Sequence, residues 1–106
     1  RERFVRDGVM LEGQVTLGLV HRGVPKPEPL GEGPLRLTAD ALTFQPDGGG
    51  DETRIPLAQI RAVLIQLGDL LQVLTHDHTY EVHPKGQSLQ LWKHFLDRHR
   101  AAATSA

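Results

Sequence analysis

Ser88-Leu89-Gln90-Leu91-Trp92-Lys93-His94-Phe95-Leu96-Asp97-Arg98-His99 is the stretch where the periodicity of the chain changes. Leu89, Trp92, Phe95, Leu96 and His99 recur at three- and four-residue spacings, which gather them on one face of an α-helix. Ser88 offers an N-cap hydroxyl, and Lys93 and Asp97 stand one turn apart, where they pair on the solvent side. The spacing predicts a helix from Leu89 to about Ala102. Large aromatics on the apolar stripe of a helix belong to cores, so Trp92 is expected to be a plug rather than a ligand platform.

Upstream of Ser88 the dominant period is two. Val15, Leu17 and Leu19 alternate with Gln14, Thr16 and Gly18, which predicts a half-buried strand over Gln14–Val20. Gly23 to Pro34 contains four prolines and three glycines and reads as a long surface loop. Leu35 and Leu37 alternate with Arg36 and Thr38, and after Ala39-Asp40 the pattern resumes at Leu42 and Phe44, predicting a hairpin. Pro46-Asp47-Gly48-Gly49-Gly50-Asp51 then supplies a second reversal, leading into a short strand near Glu52–Ile55. Pro56 opens a single helical turn with Leu57 and Ile60 directed inward. Arg61–Gln66, Leu70–Thr75 and Thr79–His83 form a meander, separated by Leu67-Gly68-Asp69 and His76-Asp77-His78.

With 106 residues the chain fits one domain. Residues 1–13 read as a lead-in, 14–100 as the domain and 101–106 as a flexible tail. A start at Arg1 and an end in Ala101-Ala102-Ala103-Thr104-Ser105-Ala106 predict a domain cut from a longer protein. The chain has no Cys, which removes disulfides, thiolate nucleophiles and Cys-ligated zinc, and fits a reducing, cytoplasmic setting. Twelve basic residues against thirteen acidic ones give a net charge of −1, so no long-range field draws the protein to nucleic acid. No apolar run reaches the ~20 residues that span a bilayer.

Some seven short strands followed by one amphipathic helix bearing Trp92 resemble the pleckstrin-homology (PH) superfold, especially its GRAM-like and bacterial PH-like branches. The similarity runs from about Gln14 to Arg100. It includes the hairpin Leu35-Arg36-Leu37-Thr38-Ala39-Asp40-Ala41-Leu42-Thr43-Phe44 ahead of the turn Ile55-Pro56-Leu57-Ala58-Gln59-Ile60. The resemblance implies a mainly β fold, with about seven antiparallel strands in a strongly bent sheet or partly open barrel capped by one C-terminal helix. It also implies phosphate recognition near the first loop, where His21, Arg22 and Lys26 are grouped and Arg36 lies on the second strand. Phosphate binding needs several converging donors. Pro34 and Thr38 occupy the positions two away from Arg36 where a second base is expected, and Glu28 and Glu32 oppose the charge.

Other chemistry finds little footing. His76, Asp77, His78 and His83 form the densest metal-type cluster, but His78 and His83 are five positions apart and fall on opposite faces of a regular strand. Ser88 is explained as a cap, Ser105 lies in the tail, and the Gly48-Gly49-Gly50 run is not followed by a helix, so neither a nucleophile nor a phosphate-cradling loop is expected. Asp47 and Asp51 flank those glycines, in a stretch between Gly31 and Ile60 with two basic and five acidic residues that reads as a soluble turn rather than a calcium loop. The sequence thus predicts no catalytic residue, metal or cofactor.

It predicts a non-catalytic PH-like accessory domain of a larger protein that mediates protein contacts or positions its parent near a membrane. One alternative is a phospholipid-headgroup or anion binder using His21, Arg22, Lys26 and Arg36. Another is the non-catalytic C-terminal region of a lipid-modifying enzyme such as an acyltransferase. The expected partners are a protein or the rest of the parent chain, with membrane phospholipid as the alternative and no nucleic acid, acting on a monomer or weak dimer. The expected location is cytoplasmic, or peripheral to a membrane.

Overall fold

The computed structural model describes residues 8–66 and 69–104, the side chains of 102–104 excepted. Arg1 to Asp7, the turn residues Leu67 and Gly68, and Ser105-Ala106 lie outside the described residues. The strands are β1 (Val9–Val20), β2 (Glu28–Thr38), β3 (Ala41–Phe44), β4 (Thr53–Pro56), β5 (Ile60–Gln66), β6 (Leu70–Thr75) and β7 (Thr79–Pro84). They form one antiparallel sheet in the order β4-β3-β2-β1-β7-β6-β5. The sheet curls into a half-barrel, and helix α1 (Leu89–Thr104) packs against β5, β6 and the short 3₁₀ turn Leu57–Gln59. β1 occupies the middle of the sheet, paired to β2 on one side and to β7 on the other.

Alternation fixes which residues face the core. Val15 and Leu17 of β1 stand opposite Gly33 and Gly31 of β2, and Leu17 opposite Val82 of β7, while Thr16 between them points outward beside His83. Phe44, Leu57, Trp92 and Leu96 are fully buried, so the inner face of the sheet, the 3₁₀ turn and the helix share one core. Leu57 is held there by its amide, which donates to the Asp40 carbonyl in the β2–β3 turn (2.9 Å).

Three boundaries differ from the sequence reading. β2 starts at Glu28, inside the stretch read as loop. Pro29 and Pro34 are tolerated because the β3 ladder covers only Leu35–Leu37, and the chain beyond it, through the Gln45 and Asp47 amides, uses the Pro34 and Glu32 carbonyls, so that a missing N–H costs little. A register shift between Leu17 and Gly18 accompanies Gly31 at φ 121°, a conformation open to glycine. β1 begins at Val9 rather than Gln14, because Leu11 pairs with Leu37 and is buried, so Val9–Gly13 are strand rather than lead-in. At the other end α1 runs to Thr104, so Ala101–Thr104 are helical.

The helix starts as its sequence demands. The Ser88 hydroxyl oxygen accepts the Leu91 amide at 3.0 Å, and Lys93 reaches Asp97 at 2.6 Å. Ser88→Ala is expected to cost about 1 kcal/mol, the usual value of a lost N-cap. A urea titration checks this, with the midpoint falling and the slope unchanged.

Candidate functional site

Residues 21–27 connect β1 to β2 and carry three of the four basic candidates. The connection turns tightly at its start, where the Val24 amide donates to the His21 carbonyl (3.1 Å) and Gly23 takes φ 78°. His21, Arg22 and Lys26 are all exposed, and Val24 between them is 50% exposed. His21 is already engaged, with its Nε2 2.6 Å from Glu28 Oε1. Arg22 and Lys26 have no ion-pair partner among the described residues.

Arg36 does not join them. It stands opposite Glu12, whereas the loop end of the hairpin is marked by Leu19 opposite Glu28. Those two pairings are seven β1 residues apart, roughly 23 Å at the usual rise of a strand. The Arg36 guanidinium donates through Nε to Glu12 Oε2 at 3.0 Å. His21, Arg22 and Lys26 thus share the connection between β1 and β2, and Arg36 lies apart from it along the sheet. Arg36→Ala is expected to leave affinity for anionic vesicles unchanged and to alter stability by less than about 1 kcal/mol, as for other exposed ion pairs. Vesicle flotation and thermal melts of the single variant check both.

Of the compensating carboxylates, Glu28 and Glu32 stand out in the sequence as opposing charge, whereas Glu12 escapes it. Glu12 and Glu32 hold cations on the outer face, Arg36 at 3.0 Å and Lys85 at 2.6 Å, while Glu28, at the register position of Leu19, lies 2.6 Å from His21 Nε2. For Glu12 the relevant signal is the opposite charge of Arg36 at the facing register position, and it becomes visible only once the register is known.

The histidines spread out. His76 and His78 lie in the β6–β7 turn, which Thr75 organises by accepting the Asp77 and His78 amides at its hydroxyl (3.3 and 3.0 Å). His83 sits on β7, facing outward opposite Thr16. Among the described residues no group of three or more His, Cys, Asp or Glu side chains is placed to hold a metal ion. Asp47 is taken up by the Gln14 side-chain amide, whose nitrogen donates to its carboxylate. Burial pushes the Tyr80 phenol above its ordinary value.

At the base of the β1–β2 connection the outer face carries a groove of about 180 Å³. Gly18 lies in its floor, Pro27 and Pro29 on one side, and Glu81 and His83 on the other. A second groove, of about 230 Å³, lies at Arg61, Ala62, Leu74 and Thr75, beside the irregularity between Ile60 and Ala62 in β5.

No protein-family model and no curated protein sequence matches the chain. Solved structures do. The N-terminal PH domain of human ARAP2 superposes with a TM-score of 0.71 at 15% identity, over 89% of this chain and 81% of that one. The chain has a PH-like fold. A Vps36 N-terminal PH domain gives a TM-score of 0.70 at 12% identity, covering 92% of this chain and 82% of the other. The C-terminal domain of an unknown protein from Leishmania infantum gives 0.57 at 19% identity, covering 92% and 91%. At such identities the likeness is one of fold, and PH-like architecture supplies a scaffold without naming a ligand. No helix among the described residues is long and apolar enough to cross a membrane.

Proposed function

We propose that this domain is a non-catalytic PH-like accessory module that works through protein contacts, with a partner or with the rest of a longer parent chain. The pairing of the basic candidates carries this reading: Glu28 occupies His21 and Glu12 occupies Arg36. A phosphorylated headgroup needs several converging donors, and Arg22 and Lys26 alone supply few. The net charge of −1 adds no attraction toward an anionic surface. PH-like domains commonly serve protein or lipid contacts, and the charge arrangement favours the first. A cytoplasmic setting and a monomer or weak dimer belong to this reading.

Flotation with vesicles of phosphatidylcholine, with and without phosphatidylserine and phosphatidylinositol bisphosphate, tests it. The expected result is no capture by either. Capture that grows with anionic lipid, collapses in salt and disappears in an Arg22→Ala, Lys26→Ala double variant would replace it with headgroup binding.

A further inference from the structure

The outer-face groove at Gly18 differs from the rest of that face in its charge. On that face Glu12 and Glu32 each pair with a cation, Arg36 at 3.0 Å and Lys85 at 2.6 Å. Glu81 is half-buried and lines the groove, and its carboxylate has no ion-pair or hydrogen-bond partner among the described residues. Its cross-strand neighbours are Gly18 and Gln72, neither of which brings a charge. A carboxylate without a partner can accept two charge-assisted hydrogen bonds from an incoming planar donor.

The walls add shape. A Cβ at position 18 would lie 3.3 Å from Pro27 Cβ and 3.6 Å from the Glu28 carbonyl oxygen, so a side chain there would fill the space that glycine leaves. Pro27 and Pro29 line one side with apolar rings. Apolar ring surface leading to a single carboxylate suits a long aliphatic stem with a cationic head. A guanidinium fits better than an ammonium, because its planar fork matches a carboxylate and it is more weakly hydrated.

We propose that the groove formed by Gly18, Pro27, Pro29, Glu81 and His83 receives an arginine side chain of a protein partner, its guanidinium on the Glu81 carboxylate and its methylenes along the prolines. The assignment deepens the protein-contact reading and rests on it. N-acetyl-arginine amide, titrated at neutral pH into the 15N-labelled domain, is the probe, with the uncharged N-acetyl-citrulline amide as its isostere. Saturable shifts are expected at the amides of Gly18, Glu81 and His83. Binding should weaken roughly ten-fold or more for citrulline and in Glu81→Gln, the usual scale for losing a charge-assisted bond. Gly18→Ala, which closes the floor, is expected to abolish the shifts, and the dispersed spectrum of each variant shows that it is folded. Equal affinity for the two amides, unchanged affinity in Glu81→Gln, or shifts that map elsewhere would overturn the site. Those results retire the groove alone, whereas anionic vesicle capture retires the protein-contact reading and leaves the titration to stand by itself.

Discussion

Trp92→Ala is expected to lower stability by about 3 to 5 kcal/mol, the range for deleting a large buried aromatic. The indole is fully buried between the inner face of the sheet and the helix, in one cluster with Leu89, Leu96 and Leu57. Its Nε1–H donates to Gln87 Oε1 at 3.1 Å, and Gln87 Nε2 donates in turn to the Glu12 carbonyl at 2.9 Å. The substitution therefore opens a cavity and also removes the donor that holds Gln87 over the first strand. For a domain of this size each kcal/mol moves the melting point by about 4–8 °C, so the fall should exceed about 12 °C. Trp92→Phe keeps most of the apolar volume but leaves Gln87 Oε1 without its donor, and should lie between the two. A melting point for Trp92→Ala within a degree or two of the parent would mean that the helix does not plug the half-barrel.

The second large effect is at a glycine. Gly33 faces the core opposite Val15, and the chain leaving β3 passes directly over it. A Cβ there would collide with the Gln45 carbonyl oxygen and sit 3.1 Å from the Asp47 amide nitrogen. Both obstacles are backbone, and the Asp47 amide is tied to the Glu32 carbonyl by a 2.8 Å hydrogen bond, so neither moves without breaking the crossing. Gly33→Ala should cost about 3 kcal/mol, the upper end of overpacking. Gly48 supplies the control, because a Cβ there meets nothing within 4 Å. Gly48→Ala should stay within about 0.5 kcal/mol of the parent, as surface changes do. Paired denaturant titrations decide the point, and equal costs at the two positions would refute the crossing.

What was legible beforehand followed periodicity. The meander from Arg61 to His83, the Leu35–Phe44 hairpin, the inward Leu57 and the helix with its Ser88 cap all depend on local spacing, and each stands where that spacing put it. The start of β2 was hidden because Pro29 and Pro34 argue against a strand unless its neighbour is known to use β2 carbonyls there, as Gln45 and Asp47 do. Leu11 was hidden because residues 1–13 show no alternation long enough to mark a strand, and its place follows from its pairing with Leu37 and from Gln87 packed over Gly13. The site residues suffered from register: how far Arg36 lies from His21, and what faces it, depends on which residue of β1 pairs with which of β2. The Gly18 groove was invisible for a different reason, since its floor is an absent side chain and its walls come from segments more than fifty residues apart.

The place of β1 in the middle of the sheet bears on how the domain is made. β1 is the first of the seven strands to be synthesised, and β2 can pair with it at once. Its other neighbour is the last strand, with Val15 facing Pro84 and Val20 facing Thr79. On a ribosome the second edge of β1 thus stays bare, with its N–H and C=O groups in water, until almost the whole domain has emerged. Closing it ties together distant parts of the chain, the kind of step that slows folding and that leaves an open strand edge exposed to stray partners in the interval.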